Sequence, residues 1–343
     1  MPPKKIDNPQ SPIPIFNPQS TSMKTYAIVG TGALGGFYGA KLQRAGLDVH
    51  FLLNSDYQHV KQSGLVIESI DGDFTLPSVN AYDRACRMPA CDVIVICLKT
   101  THNRLLPDIL PNLVKSDSVI LVLQNGLGTE AAIAKILPDR AIVGGLCFIC
   151  SNKVAPGRIH HLDYGEIKLG AYADGYQATP ITQMMAEIAT DFRNAGVAIS
   201  LCADLLLVRW QKLVWNIPYN GLSVVLNATT DRLMADPHTS VLVAQLMHEV
   251  KLAASACDRD ISEEFIEQML AYTLKMKPYR TSMKIDYDSG RPLEIAAMFG
   301  TPLQFAHDRG VELPLVGMLY QQLQFLNAAA LPAKNYLPGD EIY

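Results

Sequence analysis

KTYAIVGTGALGGFYGAKLQRAG, residues 24–46, passes from an apolar run through a cluster of glycines into a helical pattern. The glycines fall as Gly30-x-Gly32-x-x-Gly35, directly after a strand and at the opening of a helix, the setting that lifts this spacing above a chance glycine turn. In that setting the first glycine permits the tight turn, the second lets backbone approach a pyrophosphate, and the third lets helix pack close to strand. The helix start adds free N–H groups and a partial positive charge. The loop Gly30, Thr31, Gly32, Ala33, Leu34 and Gly35 is therefore read as the phosphate cradle of a dinucleotide-binding domain.

The pattern continues on both sides of that reading. "DVHFLL", "CDVIVICLK", "SVILVLQNG", "AIVGGLCFIC" and "GEIKLGAY" are further strands, the middle ones near-continuous apolar runs of the kind that buried parallel strands carry. Strands alternating with helices predict an α/β Rossmann domain, a parallel sheet with helices on both faces. After "TPITQMMAEIATDFRNAG" and a last short strand, "VAISLC", the chain turns helical. The expected organisation is a leader over 1–22, the Rossmann domain over 23–202, an all-α domain over 203–330 and a tail over 331–343. The leader holds six prolines in its 22 residues and reads as disordered.

Composition excludes several classes. The 343 residues are 49% hydrophobic with a net charge of −4, and no basic run is longer than that of "PPKK". Nothing there suggests a nucleic-acid groove or a membrane surface, and no stretch nears the ~18 apolar residues of a membrane span. Seven cysteines, an odd number lying in apolar segments, fit reduced thiols and a cytoplasmic protein. Cys147 and Cys150 have C-x-x-C spacing, but they lie in a strand pattern, where residues three apart face opposite ways, and no second pair completes a zinc set.

The second region holds its own signal in "RWQKLVWNIPYNG", residues 209–221. At 100° per residue, Lys212, Asn216 and Asn220 fall within about 80° of one another. Pro218 is expected to kink the helix near the third of them. Unpartnered burial of such groups would cost several kcal/mol, so the stripe is read as a polar binding wall in place of core. Ser282 and Glu294 stand out in "RTSMKIDYDSGRPLEIAAMFG"; Arg291-Pro292 there reads as a helix start. Asn125 in "QNGLG" and Lys99 in "CLKT" lie at the C-terminal ends of buried strands, where open α/β sheets bind ligands. The choice of dinucleotide stays open: the second strand ends in Asn54, neither an acid for a ribose 2′-OH nor a cation for a 2′-phosphate, and Asp56 comes two residues late.

Taken together, "GTGALG", "CLKT", "QNGLG", "WQKLVWN" and "TSMKIDYDSGRPLEI" resemble the ketopantoate reductase family over nearly all of Met23 to Leu326. The resemblance implies a Rossmann domain followed by a helical domain like that of 6-phosphogluconate dehydrogenase, with the active site between them. It implies NADPH-dependent reduction of ketopantoate to pantoate in pantothenate biosynthesis. By position, Lys212 matches the catalytic lysine and Glu294 the acid that bonds the substrate hydroxyl. Asn216, Asn220 and Ser282 match substrate-binding residues, and Lys99 and Asn125 line the cofactor cleft, Asn125 also near substrate. NADP is the cofactor implied; NAD stays open because Asn54 replaces the family's usual Arg. Thr230 replaces an asparagine found in some members. The partner implied is a small-molecule 2-oxo acid, with no nucleic acid or membrane; the oligomeric state stays open, a homodimer being one alternative. Two other readings remain: the same chemistry on another branched or aromatic 2-oxo acid, and a non-catalytic dinucleotide sensor.

Overall fold

A computed structural model describes residues 23–330; the leader and tail lie outside the described residues. The chain runs β1 (Thr25–Val29), α1 (Ala33–Arg44), β2 (Asp48–Leu52), α2 (Tyr57–Ser63), β3 (Leu65–Ser69), β4 (Phe74–Leu76), β5 (Asn80–Tyr82), β6 (Cys91–Ile96), α3 (Leu106–Ile109) and β7 (Val114–Val122). It continues through α4 (Thr129–Ile136), β8 (Ala141–Ala155), β9 (Arg158–Ala171), α5 (Gln183–Asn194) and β10 (Ile199–Cys202). The helices α6 (Leu205–Val225), α7 (Thr230–Ala235), α8 (Pro237–Ala256), α9 (Glu263–Lys275), α10 (Ser282–Asp288), α11 (Thr301–His307) and α12 (Pro314–Ala330) complete it.

The strands join in one sheet, ordered β4-β3-β9-β8-β7-β6-β1-β2-β5, with β10 on β9. Its central strands are buried on both faces, as their sequence predicts. Tyr26, Ile28, Val93 and Val95 pack on one face with Phe37 and Tyr38 of α1 and Ile188 and Phe192 of α5. Ala27, Val29, Ile94 and Ile96 alternate to the other, with Leu106 of α3 and Ile133 of α4. The strand order reverses at β1, which pairs with β2 on one side and β6 on the other. The crevice at the carboxyl ends of those strands is where doubly wound sheets bind ligands.

The sheet is mixed, which corrects the expectation of a parallel one. β8 and β9 form a long antiparallel hairpin, and β3 pairs antiparallel with β4. The cause of the hairpin is local: Ala155 and Arg158 pair across the two residues Pro156-Gly157, and Gly157 takes φ +65°. A parallel neighbour would need a crossover of a dozen residues or more. Three short strands, β3, β4 and β5, add edges that the apolar pattern does not announce.

α6 is the axis of the helical region, with Trp210, Leu213, Val214 and Ile217 in its core. Asp204 caps it, accepting from Leu207 N at 2.9 Å, and Ser262 caps α9, accepting from Phe265 N at 3.2 Å. Pro218 lies inside α6, which continues through it from Leu205 to Val225. The helix start expected at Arg291-Pro292 comes later. Helical structure begins at Ile295 and opens with a π-helical turn, Ala296–Gly300, so Glu294 stands directly ahead of it.

Candidate active site

A cleft of about 1250 Å³ runs from the glycine loop to α6, α9 and α10. That exceeds the ~300–1,000 Å³ of a single small-ligand site and leaves room for a dinucleotide beside a second molecule.

At one end lies the cradle. Gly30 has φ +98°, and a Cβ on Gly35 would sit 2.2 Å from the Gly30 carbonyl oxygen, so these two positions are closed to other residues by the protein itself. Gly32 differs. A Cβ built there meets nothing within 4 Å, and the space it would enter belongs to the cleft. α1 begins at this point with no side-chain cap and no acidic residue in its first turn, leaving its N–H groups to an anion. The cradle thus fits a pyrophosphate. Thr31 Oγ1 ties the loop to the end of β2, donating to Leu52 O at 3.0 Å.

The polar stripe on α6 faces the cleft. Lys212, Asn216 and Asn220 all line it, with Asn125 and Ser282. Lys212 Nζ donates to Cys147 O at 2.7 Å and stands 5.5 Å from the centroid of Phe148. Burial lowers its pKa to about 8; the Arg209 guanidinium adds to the effect, while Cys147 and Glu294 oppose it. Asn220 Oδ1 accepts from Met283 N at 3.2 Å, which fixes the start of α10 against α6. Among the described residues, the side chains of Asn216, Asn125 and Ser282 have no hydrogen-bond partner.

Glu294, 5% exposed, is gripped from the Rossmann side. Thr100 N donates to it at 2.8 Å, Thr100 Oγ1 at 3.1 Å and Lys99 Nζ at 3.1 Å. Lys99 also donates to Asp286 at 2.7 Å, and Asp286 accepts from Arg291 Nε at 3.0 Å. Burial works against the Lys99 charge, but Glu294 and Asp286 outweigh it and push its pKa up to about 12. Lys99 thus spans the sheet and the helical region.

Sequence reasoning missed Asp286, Thr100 and a buried frame beneath the site. Arg209 Nε donates to Glu130 Oε1 at 3.0 Å and Nη1 to Gln124 O at 2.7 Å. Tyr176 donates its hydroxyl to Glu130 Oε2 at 2.8 Å and accepts from Gly128 N at 3.1 Å. Both charged partners are almost fully buried. Together they hold the "QNGLG" turn against the helix that carries Lys212. Gly126 in that turn has φ +88°, and a Cβ on it would lie 2.4 Å from Ala297 O.

α9 supplies an apolar wall. Phe265, Met269 and Tyr272 line the cleft at helical spacings of four and three, with Met276 just past the helix end, while Ile266 and Thr273, about a quarter-turn round the helix, are buried. Among the described residues no helix is long and apolar enough to cross a membrane.

Known proteins share the architecture and much of the sequence. The family description "Ketopantoate reductase PanE/ApbA" matches residues 26–174, and its C-terminal counterpart matches residues 204–327. A 2-dehydropantoate 2-reductase of Nostoc sp. is 64% identical over 304 residues, covering 89% of this chain and 95% of that protein. A crystal structure of 2-dehydropantoate 2-reductase from Geobacter metallireducens superposes with a TM-score of 0.83 at 41% identity, covering 88% of this chain and 99% of that one. A D-mandelate dehydrogenase bound to NADH shares the fold, with a TM-score of 0.80 at 20% identity over 89% of this chain and 99% of its own. With both parts of the family description matched and a relative at such identity, this chain belongs to the ketopantoate reductase family.

Proposed function

We propose that the chain reduces 2-dehydropantoate (ketopantoate) to pantoate with NADPH, in pantothenate biosynthesis and in the cytoplasm. The observation that carries this reading is the partly buried Lys212 ammonium, lining the cleft beside carboxamides and a hydroxyl that have free hydrogen-bonding capacity. The 64% identity to the Nostoc reductase supports the choice of substrate.

The residues divide the work. Gly30, Thr31, Gly32, Ala33, Leu34 and Gly35 would hold the pyrophosphate, with Lys99 and Asn125 farther along the cofactor cleft. When bound, the reduced nicotinamide supplies the hydride. As hydride reaches the C2 carbonyl carbon, negative charge grows on the carbonyl oxygen. Lys212 Nζ stabilises that charge and gives up its proton there. Asn216, Asn220, Asn125 and Ser282 are neutral donors for the substrate's carboxylate and hydroxyl, and Glu294 accepts from that hydroxyl. The α9 wall suits a branched carbon chain.

Steady-state oxidation of NADPH and, separately, NADH with ketopantoate tests the whole reading. Saturable turnover is expected with both, faster with NADPH. Turnover orders of magnitude better with a bulkier aromatic 2-oxo acid would move the assignment to a related dehydrogenase, the reading that Phe265, Tyr272 and Trp215 on the cleft wall would favour. The homodimer belongs to the same proposal: light scattering should give twice the 37.6 kDa chain mass.

The lowered pKa of Lys212 sets a pH dependence. Reduction uses the protonated form, present below about 8 and lost above it. Because kcat/KM reports the ionisation of the free enzyme, kcat/KM for reduction should therefore fall by about tenfold per pH unit on the alkaline side. Oxidation of the hydroxy acid, which needs the neutral amine as base, should rise over the same range. A reduction rate level to pH 10 would remove Lys212 from the role of donor.

A further inference from the structure

We infer that Arg84, just past the strand beside β2, is the residue that reads the 2′-phosphate of NADP in this chain. The inference rests on the dinucleotide reading of the cleft made above.

An NAD site needs a carboxylate with free oxygens near the end of β2, to accept from the ribose 2′-OH; an NADP site needs a cation there. Neither is supplied by β2 itself. Asn54 is neutral. Asp56 is 6% exposed and its oxygens are spent. Lys153 Nζ donates to them at 2.9 and 2.8 Å, Ser55 Oγ at 2.9 Å and Gly157 N at 3.2 Å. A 2′-OH would have to displace one of these, and the carboxylate is already neutralised by an ammonium.

The neighbouring strand supplies the cation. β5 runs parallel to β2, with His50 beside Asn80, Phe51 beside Ala81 and Leu52 beside Tyr82. Leu53 N extends the ladder, donating to Tyr82 O at 2.8 Å. Asn54 and Arg84 each lie two residues beyond the last paired position, so they leave the sheet at the same level and on the same edge. Both line the cleft, together with Ser55 and Asp56. Arg84 is exposed, and among the described residues its guanidinium makes no ion pair. The adjacent acid does not hold it: Asp83 is paired with Arg87 at 3.0 Å. An unpaired guanidinium, with its planar fork of donors, is the group best matched to a phosphate monoester. Near this edge Arg84, Lys153 and Arg87 outnumber Asp56 and Asp83, so the local charge favours an anion.

Calorimetric titration of the full chain with 2′,5′-ADP and with 5′-AMP isolates the 2′-phosphate. The intact protein should bind 2′,5′-ADP at least about tenfold tighter, a single charge-assisted contact being enough for that ratio. Arg84→Ala should bring the ratio close to one, and Arg84→Lys should leave it in between. A ratio near one in the intact protein, or a ratio that survives Arg84→Ala, would overturn the assignment, as would failure of either nucleotide to bind. The titration contains no oxo acid. A protein that keeps this nucleotide ratio but turns over no 2-oxo acid would lose the proposed reaction and retain Arg84.

Discussion

Lys212→Ala is expected to lower turnover of any 2-oxo acid by about 10²-fold or more, with dinucleotide affinity retained. The stripe on α6 gives the reason. Asn216 and Asn220 would still bind substrate, and the glycine loop at the far end of the cleft is untouched. What disappears is the ammonium on that stripe, able both to meet charge on the carbonyl oxygen and to transfer a proton to it. The loss should therefore fall on kcat more than on KM, the pattern of an interaction made mainly in the transition state. Lys212→Arg separates charge from proton transfer: it keeps a cation, but one that does not release its proton near neutral pH. Single-turnover kinetics with fluorescence titration of NADPH would check both statements. Unchanged turnover in Lys212→Ala would revive the reading of the chain as a non-catalytic dinucleotide sensor.

The second large effect is on stability. Glu130→Gln should cost about 3–5 kcal/mol, because it strips the counter-charge from a guanidinium that stays buried. Arg209 and Glu130 are 2% and 0% exposed as side chains, so water cannot replace the lost partner without opening the core. Tyr176, which donates to the same carboxylate, would be left with a weaker acceptor. The double variant Glu130→Leu with Arg209→Met should recover much of the loss, since two apolar groups leave no buried charge behind. Urea denaturation of the three proteins would test this. A midpoint for Glu130→Gln within experimental error of the parent would show that the pair is not the tie between "QNGLG" and α6 described above.

Legibility followed distance along the chain. The cradle could be read because its glycines, strand and helix are consecutive, and each constrains the others. The α6 stripe could be read because helical periodicity brings Lys212, Asn216 and Asn220 onto one side without reference to the rest of the molecule. Asp286 and Thr100 could not. Lys99 meets Asp286 across 187 residues and Glu294 across 195, and no local pattern encodes such pairings. The Arg209–Glu130 pair was hidden for the same reason, since a lone Arg in an apolar helix has an ordinary surface reading. The β8–β9 hairpin is a different case. Pro156-Gly157 is a turn signal in plain view, but strand–helix alternation elsewhere in the domain outweighed it. The Arg291-Pro292 helix start failed because proline sets only its own φ; helical structure waits for Ile295, directly after Glu294, which Thr100 holds.

The bond from Lys212 to Cys147 O has a consequence for the energetics of the reaction. An ammonium in a cleft without a protein acceptor would gather water, and each turnover would have to strip that water away. Here a peptide carbonyl holds it at 2.7 Å, close to the geometry a 2-oxo group would offer. Exchanging one carbonyl oxygen for another keeps the number of hydrogen bonds constant and asks for little solvent rearrangement. The two acceptors differ in one respect: the peptide oxygen never becomes an alkoxide. The fold itself therefore supplies one of the ammonium's partners in advance, and in the reaction proposed for Lys212 its proton would leave only when charge develops on the incoming oxygen.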